Sequence, residues 1–109
     1  MSHYLFQLSY TPESWAAQIK DPKNRIEAVK PVMDKIGGRI TAAYYSFGEY
    51  DILFIAEFPD NASAAAASLA FSAGGALKAI KTTPLMSVEE GMTAMKKGHD
   101  GASVYKPQR

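Results

Sequence analysis

The residues best suited to chemistry cluster where two apolar segments meet, at Gly48-Glu49-Tyr50-Asp51. Asp51 precedes the apolar run ILFIAEF, so its carboxylate would sit at the mouth of a buried strand. Loss of water there raises a carboxyl pKa and suits the group to taking a proton. Tyr44 and Tyr45 stand just before the same turn and could hydrogen-bond a substrate beside such a base. The structural alternative is that Asp51 accepts hydrogen bonds from the turn, or pairs with Arg25 or Arg39. Ionised groups at strand ends are more often satisfied in that way than used. Asp51 and Tyr45 are therefore the candidate catalytic pair, and Tyr50, Tyr44, Gln7, Glu57 and Arg25 the candidate ligand contacts.

Gln7 and Glu57 are polar residues inside apolar segments and could meet across neighbouring strands, lining a pocket or marking a seam between subunits. Tyr4, Tyr10, Tyr44, Tyr45 and Trp15 supply aromatic surface for a flat ligand. Lysines and arginines do not interleave with them, which argues against stacked nucleic-acid bases. His3 and His99 are the two imidazoles, separated by most of the chain, and no carboxylate cluster is placed beside either, so no metal site is expected. No phosphate-binding glycine loop or nucleophile elbow occurs, and Gly74-Gly75 reads as a helix stop. No cofactor is expected.

Composition narrows the setting. The 109 residues are 47% hydrophobic, enough for one small core. Twelve basic residues against eleven acidic ones leave a net charge of +1, so no global field would recruit nucleic acid or an anionic membrane. The absence of cysteine removes disulfides, thiolate metal sites and thiol nucleophiles, and is compatible with the cytoplasm. The opening Met1-Ser2-His3-Tyr4 runs straight into a strand-like segment without the pattern of a signal peptide. The apolar stretch 62–77 is too rich in alanine, serine and glycine to read as a membrane span.

The elements that must position these residues follow from periodicity. Residues 3–10 alternate Tyr4, Phe6, Leu8 and Tyr10 against Leu5, Gln7 and Ser9, a half-buried strand. Thr11-Pro12 starts a short helix reaching about Lys20, and Asp21-Pro22 repeats the signal ahead of a main helix carrying Ile26, Val29, Met33 and Ile36. Pro31 within it predicts a kink near Glu27 and Ala28, or a break. Gly37-Gly38 ends it. Residues 39–47 and 50–58 read as strands joined by the two-residue turn Gly48-Glu49, with glycine supplying a positive φ. The second strand is apolar on both faces and needs cover on both. An alanine-rich helix follows Asp60, then a weaker strand over 76–83. A capping box at Ser87 and Glu90 opens a last helix reaching about Lys97. Residues 98–109 are read as a flexible or partner-docked tail to a domain spanning 1–97.

The order strand, helix, strand, strand, helix, strand predicts an α+β, ferredoxin-like βαββαβ sandwich: a four-stranded antiparallel sheet with helices on one face, plus a C-terminal helix. The face opposite the helices is too apolar to be left to water, which predicts a homodimer or higher homo-oligomer. The last helix folding back is the other possible cover.

The segment Gly48-Glu49-Tyr50-Asp51 followed by ILFIAEFPD and the alanine-rich helix resembles the GYD-domain family. Tyr10-Thr11 at the end of the first strand, the turn Lys23-Asn24-Arg25, Gly37-Gly38 and Ala43-Tyr44-Tyr45 extend the likeness over roughly residues 3–95. The resemblance implies a relative of the dimeric α/β barrels and no established reaction. Two functions are expected from this reading: a ligand-binding homo-oligomer taking a small apolar or aromatic metabolite, or a cofactor-independent oxygenase or isomerase using Asp51 as base. An oligomeric scaffold with no pocket is the third.

Overall fold

A computed structural model describes residues 1–108. The elements in order are β1 (Ser2–Tyr10), α1 (Pro12–Lys20), α2 (Arg25–Ile36), β2 (Arg39–Tyr45), β3 (Ile52–Phe58), α3 (Asn61–Ala73), β4 (Leu77–Leu85) and α4 (Val88–Ala102). The strands form one antiparallel sheet in the order β2-β3-β1-β4, the ferredoxin-like arrangement.

Local chemistry sets the ends of the elements. The Thr11 side chain accepts from the Ser14 amide to start α1, and Asn24, rather than Asp21, caps α2 by accepting from the Ile26 and Glu27 amides. Asp21 instead closes α1, and its carboxylate meets Lys23 at 3.5 Å. The second helix continues unbroken through Pro31 and stops at Gly37, whose φ of 89° is open to glycine at little cost. The Ser87–Glu90 capping box is present as expected. Its helix runs on to Ala102, more than a turn beyond Lys97, so Gly98 and Gly101 lie inside it.

Alternation along the strands builds the core. Tyr4, Phe6, Leu8 and Tyr10 of β1 and Ile52, Phe54, Ala56 and Phe58 of β3 are all buried beneath α2 and α3, joined by Met33, Ala64 and Ala67. Phe6 stacks on Phe54 with ring centroids 4.8 Å apart, and Phe71 from α3 meets both rings edge-on. Phe58 lies so close to Gly38 that a Cβ there would strike its ring, which is why the second glycine of the pair cannot carry a side chain. The intervening residues Leu53, Ile55 and Glu57 remain half-exposed on the side without helices. No residue of α4 is buried and the helix forms no substantial packing with the sheet, so folding back over it is not how that side is covered.

Candidate functional site

The chemistry-bearing turn differs from the two-residue hairpin expected. Cross-strand pairing ends at Tyr45 opposite Ile52, leaving a six-residue loop, 46–51. The cause is a set of bonds to β1 that the hairpin alone does not reveal. Ser9 Oγ donates to the Glu49 carbonyl at 2.7 Å, and the Asp51 amide donates to the Leu8 carbonyl at 2.8 Å. Within the loop, Ser46 bonds the Tyr50 carbonyl through its hydroxyl and the Asp51 carbonyl through its amide. Gly48, with φ of 150°, lets the chain turn at the tip, and Phe47 beside it is fully exposed.

This loop turns the Asp51 carboxylate toward β1 and α1. One oxygen, Oδ2, accepts from the Tyr10 amide at 2.8 Å and from the Trp15 indole nitrogen at 3.2 Å. Trp15 in turn packs edge-on against Tyr10, centroids 5.3 Å apart. The carboxylate is thus satisfied by an amide and an indole, and no described lysine or arginine lies within ion-pairing distance of it. Burial pushes the Tyr10 phenol above its ordinary pKa, the Arg25 guanidinium draws it partly back, and the negative charge of Asp51 adds a smaller push upward.

Asp51 forms part of the wall of a cleft of about 650 Å3 together with Trp15, Ile19, Pro22, Tyr45 and Phe47. A smaller hollow of about 330 Å3, with Ser9, Tyr10 and Lys78 on its walls, reaches the same carboxylate. Of the residues singled out from sequence, Asp51 and Tyr45 are brought together here. Arg25 stands beside Tyr10 and lines an adjoining cleft of about 660 Å3 that shares Gln18 and Lys23 with the first. Tyr50 contributes its backbone carbonyl to the loop through Ser46.

Three other candidates lie on the open side of the sheet. Tyr44 pairs with Leu53 and is well exposed, whereas Tyr45 pairs with the buried Ile52 on the helix side. Gln7 stands opposite Leu53 and Lys81. Glu57 is opposite His3 and is held by Arg39 and His3, with His3 Nε2 3.0 Å away. The Arg39 hydrogen bond keeps the Glu57 carboxyl below the usual range, with His3 adding to the effect. Gln7 and Glu57 share a face without meeting. Sequence reasoning gave Trp15 only a general aromatic role and did not pick out Phe47. The available signal was the position of the one tryptophan in a helix that begins directly after Tyr10. Among the described residues no group of three potential metal ligands converges.

The family model for the GYD domain matches residues 4–95. The chain belongs to the GYD-domain family. That match takes in all four strands, the loop and the first turns of α4. No curated protein matches this GYD-domain chain by sequence. Among solved structures it is similar to the crystal structure of FFRP-DM1, with a TM-score of 0.56 and 11% identity over 79% of this chain and 100% of the other. At that identity the likeness concerns the fold alone. No described helix is long and apolar enough to cross a membrane.

Proposed function

We propose that this GYD-domain protein is a homo-oligomeric binding module that holds a small aromatic or apolar metabolite in the cleft between α1 and the 46–51 loop. The observation that carries the proposal is the lining: apolar and aromatic walls from Trp15, Ile19, Pro22, Tyr45 and Phe47 around one carboxylate, Asp51, with Gln18, Lys23 and Ser46 as the other polar groups. A volume of about 650 Å3 suits a small-molecule site, and few convergent polar groups on an apolar wall is the usual composition of one. Ring surfaces would hold a flat ligand, and Asp51 would orient a hydroxyl or amine on it. No cofactor is needed for this role.

The cleft favours binding over catalysis because Oδ2 of Asp51 already accepts two hydrogen bonds. A carboxylate engaged in that way is held in a fixed orientation, with Oδ1 left to accept from a ligand. The reading as a cofactor-independent oxygenase or isomerase, with Asp51 as base and Tyr45 as hydrogen-bond partner, uses the same side chains and would leave a different signature. Self-association through the open face of the sheet, where Leu5, Leu53 and Ile55 are half-exposed, belongs to the same proposal. The cysteine-free sequence suits the reducing cytoplasm.

Trp15 is the one tryptophan, so its fluorescence reports directly on the cleft. Titration with a panel of phenols, arylamines and aromatic acids is expected to give saturable quenching by at least one class. Asp51→Asn, which keeps an oxygen acceptor for Tyr10 and Trp15, should weaken that binding without unfolding the chain. If no member of the panel produces a saturable change, the binding proposal is wrong. Consumption of a bound compound by the wild type and not by Asp51→Asn would instead establish the enzyme.

A further inference from the structure

We propose that α4 is an exchanged arm, lying across the open sheet face of a second copy of this chain, which returns its own α4 to the first. This rests on the self-association put forward above and adds where the last helix goes.

The arm is not packed against the body of its own chain: none of its residues is buried. Val88, Met92 and Met95 form a stripe at spacings of four and three, and are 84%, 51% and 70% exposed. The molecule measures 58 × 34 × 22 Å with a radius of gyration of 17.6 Å. A compact domain of this length would have about 13 Å, so the arm projects from the body. It is also a poor helix in isolation. Gly91, Gly98 and Gly101 each cost about 1 kcal/mol relative to alanine, and helices of about 15 residues are marginal in water even with good sequences. No atom outside the local helix lies within 4 Å of where a Cβ would stand on any of the three, so no contact within the chain accounts for them.

The occupant is a second copy because each chain carries one donor stripe and one acceptor strip that are not packed on each other. The acceptor is the strip of Leu53, Ile55, Ala42 and Tyr44 on β3 and β2, joined by Leu5 of β1. The helix starts two residues after β4, on the sheet edge opposite β2, and does not pack on its own sheet. Reciprocal exchange about a two-fold axis covers both stripes and the acceptor strip of each sheet, and leaves the β1 and β4 side of each face for direct contact between the sheets. Methionine thioethers adapt to an irregular surface and pack well on rings such as the exposed Tyr44. A membrane is the weaker partner, since α4 sets Glu89, Glu90 and Asp100 against Lys96 and Lys97 and has no net attraction to anionic lipid.

Area decides how much the arm must do. A helix of this length is about 22 Å long and presents a strip roughly 10 Å wide, so two arms on two faces bury about 900 Å2 in total. A specific interface needs about 1,200 Å2 or more. The arms therefore fall short alone and complete the interface only together with direct contact between the sheets.

The test mixes two full-length chains: a light one with a photoreactive benzophenone amino acid in place of Met92, and a heavy-isotope wild type. Irradiation should join light position 92 to heavy peptides from β1, β2 or β3. In parallel, sedimentation of Met92→Lys with Met95→Lys, both solvent-exposed positions, should show the dimer dissociation constant raised roughly tenfold or more, with the fold intact by circular dichroism. A dimer whose crosslinks stay within the light chain, or reach heavy peptides outside those strands, overturns the exchange and leaves self-association standing. So does a double variant that dimerises as tightly as the wild type. A wild type that sediments as a monomer at micromolar concentration overturns both ideas.

Discussion

The two sides of the sheet are made from alternate residues of the same strands, yet a single chain completes only one of them. On the helix side, Phe6, Phe54, Ala56 and Phe58 lose essentially all contact with water. One position along, Leu5, Leu53 and Ile55 are equally apolar but only partly buried. Side-chain type therefore does not separate the faces; what lies above them does. Helices α2 and α3 cover one side, and no described element packs over the other. The cleft with Asp51 lies at the end of the finished side, where α1 and the 46–51 loop close on Tyr10, so its geometry is set within one protomer.

The contrast can be broken most severely at its centre. Phe6→Ala removes the ring that stacks on Phe54 and lies tilted against Phe58, and should cost about 3–5 kcal/mol in chemical denaturation, a large part of the total for a domain of this size. An effect under about 1 kcal/mol would mean that the helix side is not the core. Next, Gly38→Ala drives a methyl into the Phe58 ring and should cost about 1–3 kcal/mol, read in the same melt. Ile55→Lys tests the other side. Its long stem can lie along the sheet and carry the charge to water, so the fold should lose no more than about 1 kcal/mol. Light scattering should nevertheless show the assembly dissociated. A variant that unfolds instead would place Ile55 in the core and erase the distinction between the sides.

The smallest effect sharpens the contrast through protons. Tyr10 has its folded-state pKa raised above the ordinary 10.0, chiefly by burial. Folding then favours the protonated phenol, so its contribution is fully present below pH 10.0 and is lost as pH rises through the folded value. Ultraviolet titration should show a late-ionising step from Tyr10, and Tyr10→Phe should remove that step together with its share of the alkaline destabilisation.

Most of the fold was legible because its signals are local. The alternation of Tyr4, Phe6, Leu8 and Tyr10, the caps Thr11 and Ser87, and the stop at Gly37 each act within a few residues, and each appears in the structure as read. What escaped depends on partners distant in sequence. The width of the loop is set by Ser9, 40 residues before Glu49, and the fate of Asp51 by Trp15, 36 residues before it. Neither bond leaves a mark on the hairpin sequence, where Gly48-Glu49 reads as a tight turn. Tyr44 and Tyr45 looked interchangeable for the same reason. Strand alternation puts them on opposite faces, and which one lies on the helix side is set by a register shift between Ile40 and Ala42 that no periodicity announces. Gly98 and Gly101 read as part of a tail because glycine is a poor helix former and nothing around them marks the helix as continuing to Ala102.

The placement of β1 between β3 and β4 carries a consequence for biogenesis. Of the four strands, β1 is made before the rest and is a central one, and both of its edges stay unpaired until residues 52–58 and then 77–85 have been made. Its pairings therefore close long stretches of chain, which slows folding relative to a sheet that pairs its neighbours in order. Until β4 has been made, the nascent segment offers chaperones a bare strand edge of tyrosine, phenylalanine and leucine.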